Sequence, residues 1–547
     1  MYPIFGNRKK HILKSFLRFF IYTQIIFIFN KCAQIVPLTG GQKDTTPPIL
    51  ENTLPSNFST HFNSSIIKFN FNEKIQLINP NDNIILVPFT PQPLQWKVKN
   101  KTLEIIVPEN LDTNVTYKII FNKCIADLTE KNTIDYLEYV FSKQNYIDSF
   151  YIKGKVKNAW TLEAEKNVLV ALYKPSANDS IILKEKPLYF AKSDEQGLFK
   201  LKHLPDAPFK IFVFTDNNNN LLYDPYKEKI DTKNTPIYTR KDSSLIFYVS
   251  SERPIKNYLK KIQLLNNSFI HLIYTFPDYY RIKHSNTNAH IINDSLPSDT
   301  CKILMSRVDT ASFIIQTSSH IDTIVIPFSS NKKTTYNYTL LNLHNNVLNY
   351  DSPIILQPNY WLDTTRLLNN ILLFTKNDTI HPLNIQSYSV VMPYRISINY
   401  LLQQNTEYIL KIPINTANQK DSLSYQTIGF KTNAIENLAQ LKVNILFPEK
   451  KNYLVTLCNT QHKVIYVKKI NLPIAASNQQ SIEFKNILPD TYLLKIIQDD
   501  NQNNQWDTHR FLLNTDKREF AEKVFIYPKP IKLINNWDVV LDWNEVK

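Results

Sequence analysis

Glycine is scarce in this chain, which has only six glycines among 547 residues. Average usage is about 7%. A P-loop, a dinucleotide-binding GxGxxG turn and a GxSxG nucleophile elbow all need closely spaced glycines, and no such spacing occurs here. The sequence therefore excludes those enzyme classes. Turn positions that need a positive φ must be occupied mostly by Asn and Asp, which tolerate that conformation better than other residues except glycine.

Cysteine is also sparse, with four residues: Cys32, Cys124, Cys301 and Cys458. No CxxC pair occurs, no His stands near them at ligand spacing, and the eleven histidines form no HExxH motif. We therefore expect no zinc site. The last three cysteines fall in different predicted domains, so a disulfide would have to join domains. We interpret them as small buried apolar side chains.

The net charge of +15 and the pI near 9.2 do not mark a nucleic-acid-binding surface, because no run of five or more basic residues follows the N-terminus. Dispersed charge of this kind predicts no nucleic-acid partner. Hydrophobic residues make up 43% of the chain and charged residues 20%, which favours packed cores over disorder. At roughly 100–200 residues per domain, the length predicts about four or five domains.

A loop rich in Asp and Asn occurs twice, each time shortly after a Leu-Pro-Asp turn and an apolar run. The turns are Leu204-Pro205-Asp206 and Leu488-Pro489-Asp490. The matching residues are Asp216, Asn218, Asn220 and Asp224 in the first loop (loop 1, residues 216–224) and Asp499, Asn501, Asn503 and Asp507 in the second (loop 2, residues 499–507). This repetition predicts at least two copies of one β-rich module.

Both loops are candidate Ca²⁺ sites, and no other cofactor is expected. Each places oxygen-bearing side chains at positions one, three, five and nine, and a carbonyl of Leu222 or Gln505 would add to the six to eight oxygens that Ca²⁺ takes. An EF-hand loop has a bidentate Glu at position twelve, where this chain has Lys227 and Arg510, and a central Gly that is missing here. The alternative interpretation is a pair of β-connections rich in turn-forming residues.

Residues 1–31 have the organisation of an export signal. A basic segment precedes a short apolar stretch at 19–29, and its charged residues are Arg8, Lys9, Lys10, Lys14 and Arg18. The stretch is too short for a spanning helix of ~20 residues. With Cys32 and the tether 32–46 that follows, it resembles a bacterial lipoprotein signal, which implies that Cys32 is lipidated. Lys31 stands where such signals carry a small residue, so an ordinary cleaved signal and an uncleaved anchor stay open.

The segment after the tether resembles the S-layer-type bacterial Ig-like domain of Bacteroidota lipoproteins. The resemblance rests on the Thr-Pro-Pro opening at 45–49 and on the alternating strand Ile67, Phe69, Phe71 that leads to Glu73. A hairpin is predicted at Asn100-Lys101. The motif Leu111-x-x-Asn114-x-x-Tyr117 recurs as Leu402-x-x-Asn405-x-x-Tyr408, which predicts a second domain of this kind.

The segment around loop 1 resembles the carboxypeptidase-regulatory or transthyretin-like sandwich. The resemblance rests on a strand followed by Asp194-x-x-Gly197-x-Phe199, a further strand and the Leu-Pro turn. That module is a non-catalytic β domain in its relatives. A similar Asp/Asn loop binds Ca²⁺ in the B-repeats of bacterial adhesins.

The predicted fold class is therefore all-β, with tandem Ig-like and transthyretin-like β-sandwich domains after an N-terminal signal segment. The predicted divisions are a signal peptide at 1–31, a tether at 32–46, an Ig-like domain at 47–146, a carboxypeptidase-regulatory-like sandwich at 147–250, a further sandwich at 251–337, a second Ig-like domain at 338–434 and a C-terminal sandwich at 435–547.

These resemblances imply a non-catalytic, outer-membrane lipoprotein that acts as a structural or protein-binding module. Its partners would be the membrane, through the lipid anchor, and other envelope proteins. The alternative is a surface adhesin or glycan-binding protein that uses aromatic side chains such as Tyr279, Tyr280, Tyr350, Tyr360 and Trp361. A hydrolase would need a Ser-His pair or two carboxylates that converge on one site. No motif in the sequence brings such residues together.

Overall fold

A computed structural model describes residues 44–546 except 241–243, 255, 267, 293–297, 307–308, 329–336, 345, 361–369, 386, 392–394, 415–423, 474–476 and 513–516. The predicted signal peptide, Cys32 and Trp361 lie outside the described residues. Contacts divide the chain into two compact units. The first consists of the described residues up to Leu86 with Thr90–Asp112 and Tyr117–Lys143, and the second of the remainder. Among the described helices, none is long and apolar enough to cross a membrane.

The first unit is built from nine strands and one helical turn, α1 (Pro80–Asn83). The strands are β1 (Leu50–Leu54), β2 (Ile66–Phe71), β3 (Ile75–Leu77), β4 (Ile84–Val87), β5 (Gln95–Lys99), β6 (Thr102–Ile106), β7 (Thr116–Asn122), β8 (Ile125–Asp127) and β9 (Tyr136–Ser142). They form sheets in the orders β1-β2-β6-β5 and β4-β7-β9, with a β3-β8 pair. Alternate residues of β2 face the core, as the period-two pattern predicts, and Ile67, Phe69 and Phe71 are buried.

The predicted hairpin between β5 and β6 is confirmed. Lys99 pairs with Thr102, and Asn100 at the two-residue turn has φ 53°, a positive value that Asn tolerates better than most residues. An Asn therefore serves here in place of a glycine.

The repeated Leu-x-x-Asn-x-x-Tyr motif forms the same corner in both places. The Tyr117 hydroxyl accepts a hydrogen bond from the backbone N–H of Asp112 at 2.9 Å, and Tyr408 accepts one from Gln403 at 2.7 Å. Tyr117 stacks on Phe141 with ring centroids 5.6 Å apart, and Tyr408 stacks on its counterpart Phe430 at 5.5 Å. A tyrosine that anchors a chain reversal in this way is typical of Ig-like sandwiches.

The second unit begins with a mixed eight-stranded sheet. We call this sheet and the two residues that follow it copy 1 (residues 150–253). Its strands are β10 (Phe150–Asn158), β11 (Val168–Tyr173), β12 (Tyr189–Lys192), β13 (Leu198–Leu204), β14 (Pro208–Thr215), β15 (Lys229–Thr232), β16 (Ile237–Tyr238) and β17 (Ser244–Ser251). The order is β12-β11-β14-β15-β17-β10-β13, and β16 pairs with β14. A 3₁₀ helix at Asp179–Leu183 lies between β11 and β12.

Two further groups of strands follow. The first has β18 (Leu259–Asn266), β19 (Phe269–Asp278), β20 (Arg281–Ser285), β21 (Ala289–Ile292), β22 (Ser298–Met305), β23 (Thr310–Gln316) and β24 (Ile321–Pro327), in sheets β18-β19-β22-β21 and β20-β23-β24. The second has β25 (Tyr338–Leu340), β26 (Leu343–His344), β27 (Val347–Leu348), β28 (Ile354–Pro358), β29 (Leu372–Thr375), β30 (Asp378–Leu383), β31 (Ser387–Val391), β32 (Arg395–Asn399), β33 (Glu407–Ile414) and β34 (Ser424–Thr432), in sheets β25-β28-β32-β31 and β26-β27-β34-β33-β29-β30.

The last group, copy 2 (residues 439–543), follows a 3₁₀ turn at Ile435–Asn437. Its strands are β35 (Ala439–Leu446), β36 (Asn452–Cys458), β37 (Val464–Asn471), β38 (Gln479–Ile487), β39 (Thr491–Gln498), β40 (Arg510–Leu512), β41 (Lys517–Glu519), β42 (Val524–Ile526), β43 (Ile531–Lys532) and β44 (Asp538–Trp543). The sheets are β38-β35-β44 and β37-β36-β39-β42, β43 pairs with β39, and β40 pairs with β41.

Copy 1 and copy 2 share one topology, which confirms the repeated module. β10 pairs antiparallel with β13 and parallel with β17, as β35 does with β38 and β44. β11 lies between β12 and β14, as β36 lies between β37 and β39. The copies also differ. In copy 1 a 3₁₀ helix lies between β11 and β12, and β15 pairs with both β14 and β17. Copy 2 has the hairpin β40–β41 between loop 2 and β42, whereas only residues 225–228 separate loop 1 from β15.

The structure confirms the all-β fold class, since the described residues form sheets with separate apolar cores. One core fills the interior of copy 2, and two others fill the groups β25–β34 and β18–β24. Cys124, Cys301 and Cys458 are buried free thiols, as expected from their spacing, and burial raises the pKa of Cys124 to about 11. The domain boundaries given above stay a prediction.

Candidate cation-binding loops and the contact between the copies

Loop 1 folds around its own acidic and amide side chains. The Asp216 carboxylate accepts backbone N–H groups of Asn220 at 3.0 Å and Leu221 at 3.3 Å. Asn218 Oδ1 also accepts the Asn220 N–H, and Asn218 Nδ2 donates to Asp224 Oδ2 at 2.8 Å. The four predicted residues of this loop are therefore brought together.

Loop 2 repeats this arrangement, so its four predicted residues are also brought together. The Asp499 carboxylate accepts the N–H groups of Asn503 at 3.1 Å and Asn504 at 3.0 Å. Asn501 Oδ1 accepts the Asn503 N–H at 3.0 Å, and the side-chain amides of Asn501 and Asn503 donate to Asp507 Oδ2. The common pattern explains why Asp and Asn recur at these positions.

In each loop a third carboxylate accepts backbone N–H groups from both ends of the loop. The sequence analysis identified neither of these two glutamates. Glu228 accepts the N–H groups of Asn217 at 2.7 Å and Asp224 at 2.9 Å. Glu522 likewise accepts those of Asp500 at 2.9 Å and Asp507 at 3.1 Å. Glu228 stands 12 positions after Asp216, but Glu522 stands 23 positions after Asp499, because the hairpin β40–β41 intervenes. The shared sequence signal is Glu-Lys before the returning strand, at 228–229 and 522–523.

Burial and neighbouring charge raise the pKa of some of the carboxylates at these loops. Burial and the charges of Asp507 and Asp499 raise the pKa of Glu522 to about 8. Burial raises the pKa of Asp499 as well. In loop 1, burial together with the charges of Asp216 and Asp224 raises the pKa of Glu228. A cation held among these groups would favour their ionised forms.

The oxygen donors of both loops fit a hard cation in their chemistry. Within the described ranges, no three or more His, Cys, Asp or Glu side chains are grouped so that they alone could hold a metal ion. The Asn218 and Asn220 amides, their counterparts in loop 2 and backbone carbonyls are the further oxygens that Ca²⁺ accepts. The cations beside the loops contact different groups. Arg253 Nη1 bonds the Asp507 carboxylate of loop 2, whereas Lys192 Nζ donates to the side-chain amide oxygen of Asn219 in loop 1 at 2.7 Å.

The residues between loop 2 and β41 dock on copy 1. The backbone N–H of Phe511 donates to Glu252 Oε1 at 2.9 Å, and Glu252 Oε2 accepts the Tyr223 hydroxyl at 2.9 Å. The backbone N–H of Arg253 donates to the His509 carbonyl at 3.0 Å. We call β40 and β41 the docking hairpin. An element that copy 2 has at a position where copy 1 has only residues 225–228 is thus used to bind copy 1.

A buried ion cluster fixes the far strand of the docking hairpin. Arg518 Nε donates to Asp179 Oδ2 at 2.6 Å and Arg518 Nη2 to Asp179 Oδ1 at 2.5 Å, while Lys210 Nζ lies 2.9 Å from the same Oδ1. Burial alone would raise the pKa of Asp179, but the hydrogen bonds from Arg518 and Lys210 hold it below its ordinary value. Asn178 caps the 3₁₀ turn that presents Asp179 by accepting the Ser180 N–H at 2.9 Å.

A Ser, a His and an Asp also meet at this contact. His509 Nδ1 lies 2.7 Å from Ser250 Oγ, and His509 Nε2 lies 3.2 Å from Asp231 Oδ1. The exposed fractions of Ser250, His509 and Asp231 are 5%, 2% and 6%. Ser250 Oγ also accepts the His509 backbone N–H at 3.1 Å. A nucleophilic serine must reach a substrate carbonyl, whereas these groups are enclosed by the two copies that they join.

A tryptophan of copy 1 covers a buried lysine of copy 2. Lys495 is fully buried, its Nζ donates to the Trp160 carbonyl at 2.7 Å, and it lies 3.8 Å from the Trp160 ring centroid. Burial lowers the pKa of Lys495 to about 8. Trp160 packs against Trp506 with ring centroids 4.9 Å apart. These contacts and the docking hairpin together form the interface between the copies.

Two of the tyrosines suggested for a binding face are buried. Tyr280 and Tyr360 are buried, the first donating to the Ser298 carbonyl at 2.8 Å and the second paired with the Tyr338 hydroxyl at 2.6 Å. Tyr279 is exposed. That expectation was therefore wrong for Tyr280 and Tyr360, because aromatic content alone does not show which rings a sandwich core takes up.

Comparisons with known proteins assign one segment of the chain. Residues 44–142 match the family model of the bacterial Ig-like domain. Comparison with curated proteins gives no match. Among solved structures, domains 5–6 of the S-layer protein SbsC are 9% identical with a TM-score of 0.21, covering 32% of this chain and 99% of that one.

Two other solved structures match with similarly low TM-scores. BcpA, the major pilin subunit of Bacillus cereus, is 9% identical with a TM-score of 0.13 and covers 73% of this chain and 99% of its own. The BSP domain of a biofilm-associated protein is 8% identical with a TM-score of 0.14, covering 86% and 97%. TM-scores this low carry no argument about function, so the assignment rests on the family match at residues 44–142.

Proposed function

We propose that this chain is a non-catalytic lipoprotein of the bacterial cell envelope, anchored to the outer membrane through Cys32, in which the β domains act as a structural or protein-binding module. The observation that carries the proposal is the use of buried polar groups. Asp179, Arg518, His509 and Lys495 are the kinds of residue that active sites recruit, and here each joins copy 1 to copy 2. The bacterial Ig-like match at 44–142 supports an envelope location.

The anchor is tested by the mass of the mature N-terminus recovered from membrane fractions. We expect a diacyl or triacyl mass on Cys32, with loss of both the mass and the membrane attachment in Cys32→Ser. Ala33→Ser, which leaves the cysteine in place, is the matched control. An unmodified N-terminus in the wild-type chain, or membrane attachment that persists in Cys32→Ser, would overturn the lipoprotein assignment.

The non-catalytic character is tested at the Ser250–His509–Asp231 cluster with a fluorophosphonate probe, which labels activated serines. We expect no labelled peptide that contains Ser250, because that side chain is buried and accepts a backbone N–H. Trypsin, whose serine is activated, is the positive control. Labelling at Ser250 that disappears in Ser250→Ala would contradict the proposal and favour a hydrolase.

We further propose that loops 1 and 2 bind Ca²⁺, with loop 1 the tighter site because Arg253 already offsets part of the negative charge of loop 2. The Asp and Asn oxygens that each loop brings together, and the raised pKa of Glu522, support this proposal. Dissociation constants of about 10⁻⁴–10⁻³ M are typical of extracellular Ca²⁺ modules.

The Ca²⁺ proposal predicts a stabilisation that depends on the acidic residues. At a free concentration one hundred times the dissociation constant, Ca²⁺ should raise the free energy of unfolding by about 2.7 kcal/mol, measured by thermal unfolding with Ca²⁺ or with chelator. Asp216→Asn with Glu228→Gln should abolish the loop 1 contribution. Glu195→Gln, an exposed change in copy 1, is the control. A wild-type transition that is the same with Ca²⁺ and with chelator would refute the proposal.

A further inference from the structure

A large cleft opens within the second unit, beside the contact between the copies. Its volume is about 960 Å³. It is lined by the chain that leaves copy 1, by β18 and β19, and by the outer face of the larger sheet of copy 2. Pockets that bind small molecules usually have volumes of about 300–1,000 Å³ and mostly apolar linings. None of the eight candidate Ca²⁺ ligands lines this cleft, although Asn504, Gln505 and Trp506 of loop 2 do.

The floor and walls of the cleft are apolar. Leu454, Val467 and Ile497, from β36, β37 and β39, form the floor, and the rings of Trp160 and Trp506 lie beside them. Both indole N–H groups are already used: Trp160 Nε1 donates to the His462 carbonyl at 3.2 Å and Trp506 Nε1 to the Glu522 carbonyl at 2.9 Å. The two indoles therefore offer ring surface rather than hydrogen-bond donors, which suits a hydrocarbon body better than a sugar.

The charged residues that line the cleft are not equally available. Glu252 is occupied by the Phe511 N–H and the Tyr223 hydroxyl. Arg253 bonds Asp507, and its guanidinium lies 4.3 Å from the Phe276 ring centroid.

Lys256 and Lys260 are the other two charged residues of the lining, and both are exposed. In the part of the chain that the structure describes, neither forms an ion pair. Lys260 Nζ has one long contact of 3.5 Å, to the Thr275 carbonyl. The rim of the cleft thus presents two positive charges above an apolar floor.

We propose that this cleft binds an anionic amphiphile: a molecule with one apolar chain or ring system and a terminal carboxylate or phosphate. The apolar body lies on Leu454, Val467 and Ile497 between the two tryptophans, where its burial supplies the affinity. The anionic group lies at the rim, where Lys256 and Lys260 attract it and set the charge preference.

The test is isothermal titration calorimetry of the full chain with four ligands that each carry a ten-carbon chain, used below their micelle concentrations or, for decanol, below its solubility limit. Decanoate and decyl phosphate represent a fatty-acid and a phosphate-headed source, and decanol and decyltrimethylammonium are the neutral and cationic controls. We expect saturable binding of at least one anion, at least tenfold tighter than either control. Tighter binding of decanoate would indicate a fatty-acid ligand, and tighter binding of decyl phosphate would indicate a ligand with a phosphate head group.

Two variants locate the site. Lys256→Glu with Lys260→Glu should weaken the binding of the preferred anion at least tenfold, whereas Lys200→Glu with Lys202→Glu, two lysines of β13 in copy 1, should leave it unchanged. Val467→Trp, at a partly exposed floor position, should abolish binding by filling the cleft. Circular dichroism verifies that each variant is folded. Equal affinity for anion and control ligands, unchanged binding in the Lys256/Lys260 variant, or no saturable binding of any anion would overturn the proposal.

Discussion

Asp179→Ala is expected to destabilise the second unit by about 3–5 kcal/mol, because it leaves buried cations without their counter-ion. The side chains of Asp179 and Arg518 are 2% and 8% exposed, and Lys210 shares the same carboxylate oxygen. Arg518 would keep one hydrogen bond, from Nη1 to the Lys233 carbonyl at 2.6 Å. The measurement is denaturant unfolding of the full chain, combined with limited proteolysis of the docking hairpin, which should become cleavable.

The ion pair between Lys166 and Glu195 provides the control for Asp179→Ala. Its nitrogen and oxygen lie 3.1 Å apart, but the two side chains are 58% and 71% exposed. Exposed pairs contribute about 0–1 kcal/mol, so Glu195→Ala should have little effect. If Asp179→Ala cost no more than Glu195→Ala, or left the docking hairpin resistant to protease, the buried cluster would not be what holds the hairpin in place.

Gly154→Ala is expected to cost about 3 kcal/mol or more, at the upper end of the range for overpacking. Gly154 lies on β10, between β13 and β17. A Cβ at this position would lie 2.1 Å from the Leu245 carbonyl oxygen and 2.7 Å from the Phe199 ring. The ring can turn away, whereas the oxygen belongs to the paired strand, so relief would require β10 and β17 to separate.

Gly429→Ala is the matched control, since a Cβ there would have no atom within 4 Å. Alanine in a strand is favoured over glycine by about 0.5–1 kcal/mol, so this change should be neutral or slightly stabilising. Unfolding measurements on both variants test the contrast. If Phe199→Leu restored the stability of Gly154→Ala, the aromatic ring rather than the Leu245 carbonyl would be the obstruction.

Local patterns in the sequence predicted the features that depend on neighbouring residues. The β5–β6 hairpin needs only alternating apolar residues around Asn100. The corners at Tyr117 and Tyr408 need a Leu, an Asn and a Tyr at fixed spacing, and the loops at Asp216 and Asp499 need oxygen-bearing side chains at alternate positions. Each of these patterns is complete within a dozen residues, so the sequence displays it directly.

Features that depend on distant residues were not predictable in this way. The sequence did not indicate Glu522, because the docking hairpin places it farther along the chain from loop 2 than Glu228 is from loop 1. Ser250 and His509 are separated by 259 positions, and Trp160 and Lys495 by 335. Such pairs depend on how whole modules dock, and a single sequence carries no local periodicity for that. The same reason explains why the burial of Tyr280 and Tyr360 was missed.

The docking hairpin also bears on how the chain avoids self-association. A head-to-tail contact between similar modules propagates into filaments when its complementary surface stays open. Here the receiving surface on copy 1, around Asp179 and Glu252, is filled by the hairpin of the same polypeptide. The hairpin of another molecule would have to displace this intramolecular contact, so we expect the folded chain to stay free of domain-swapped oligomers.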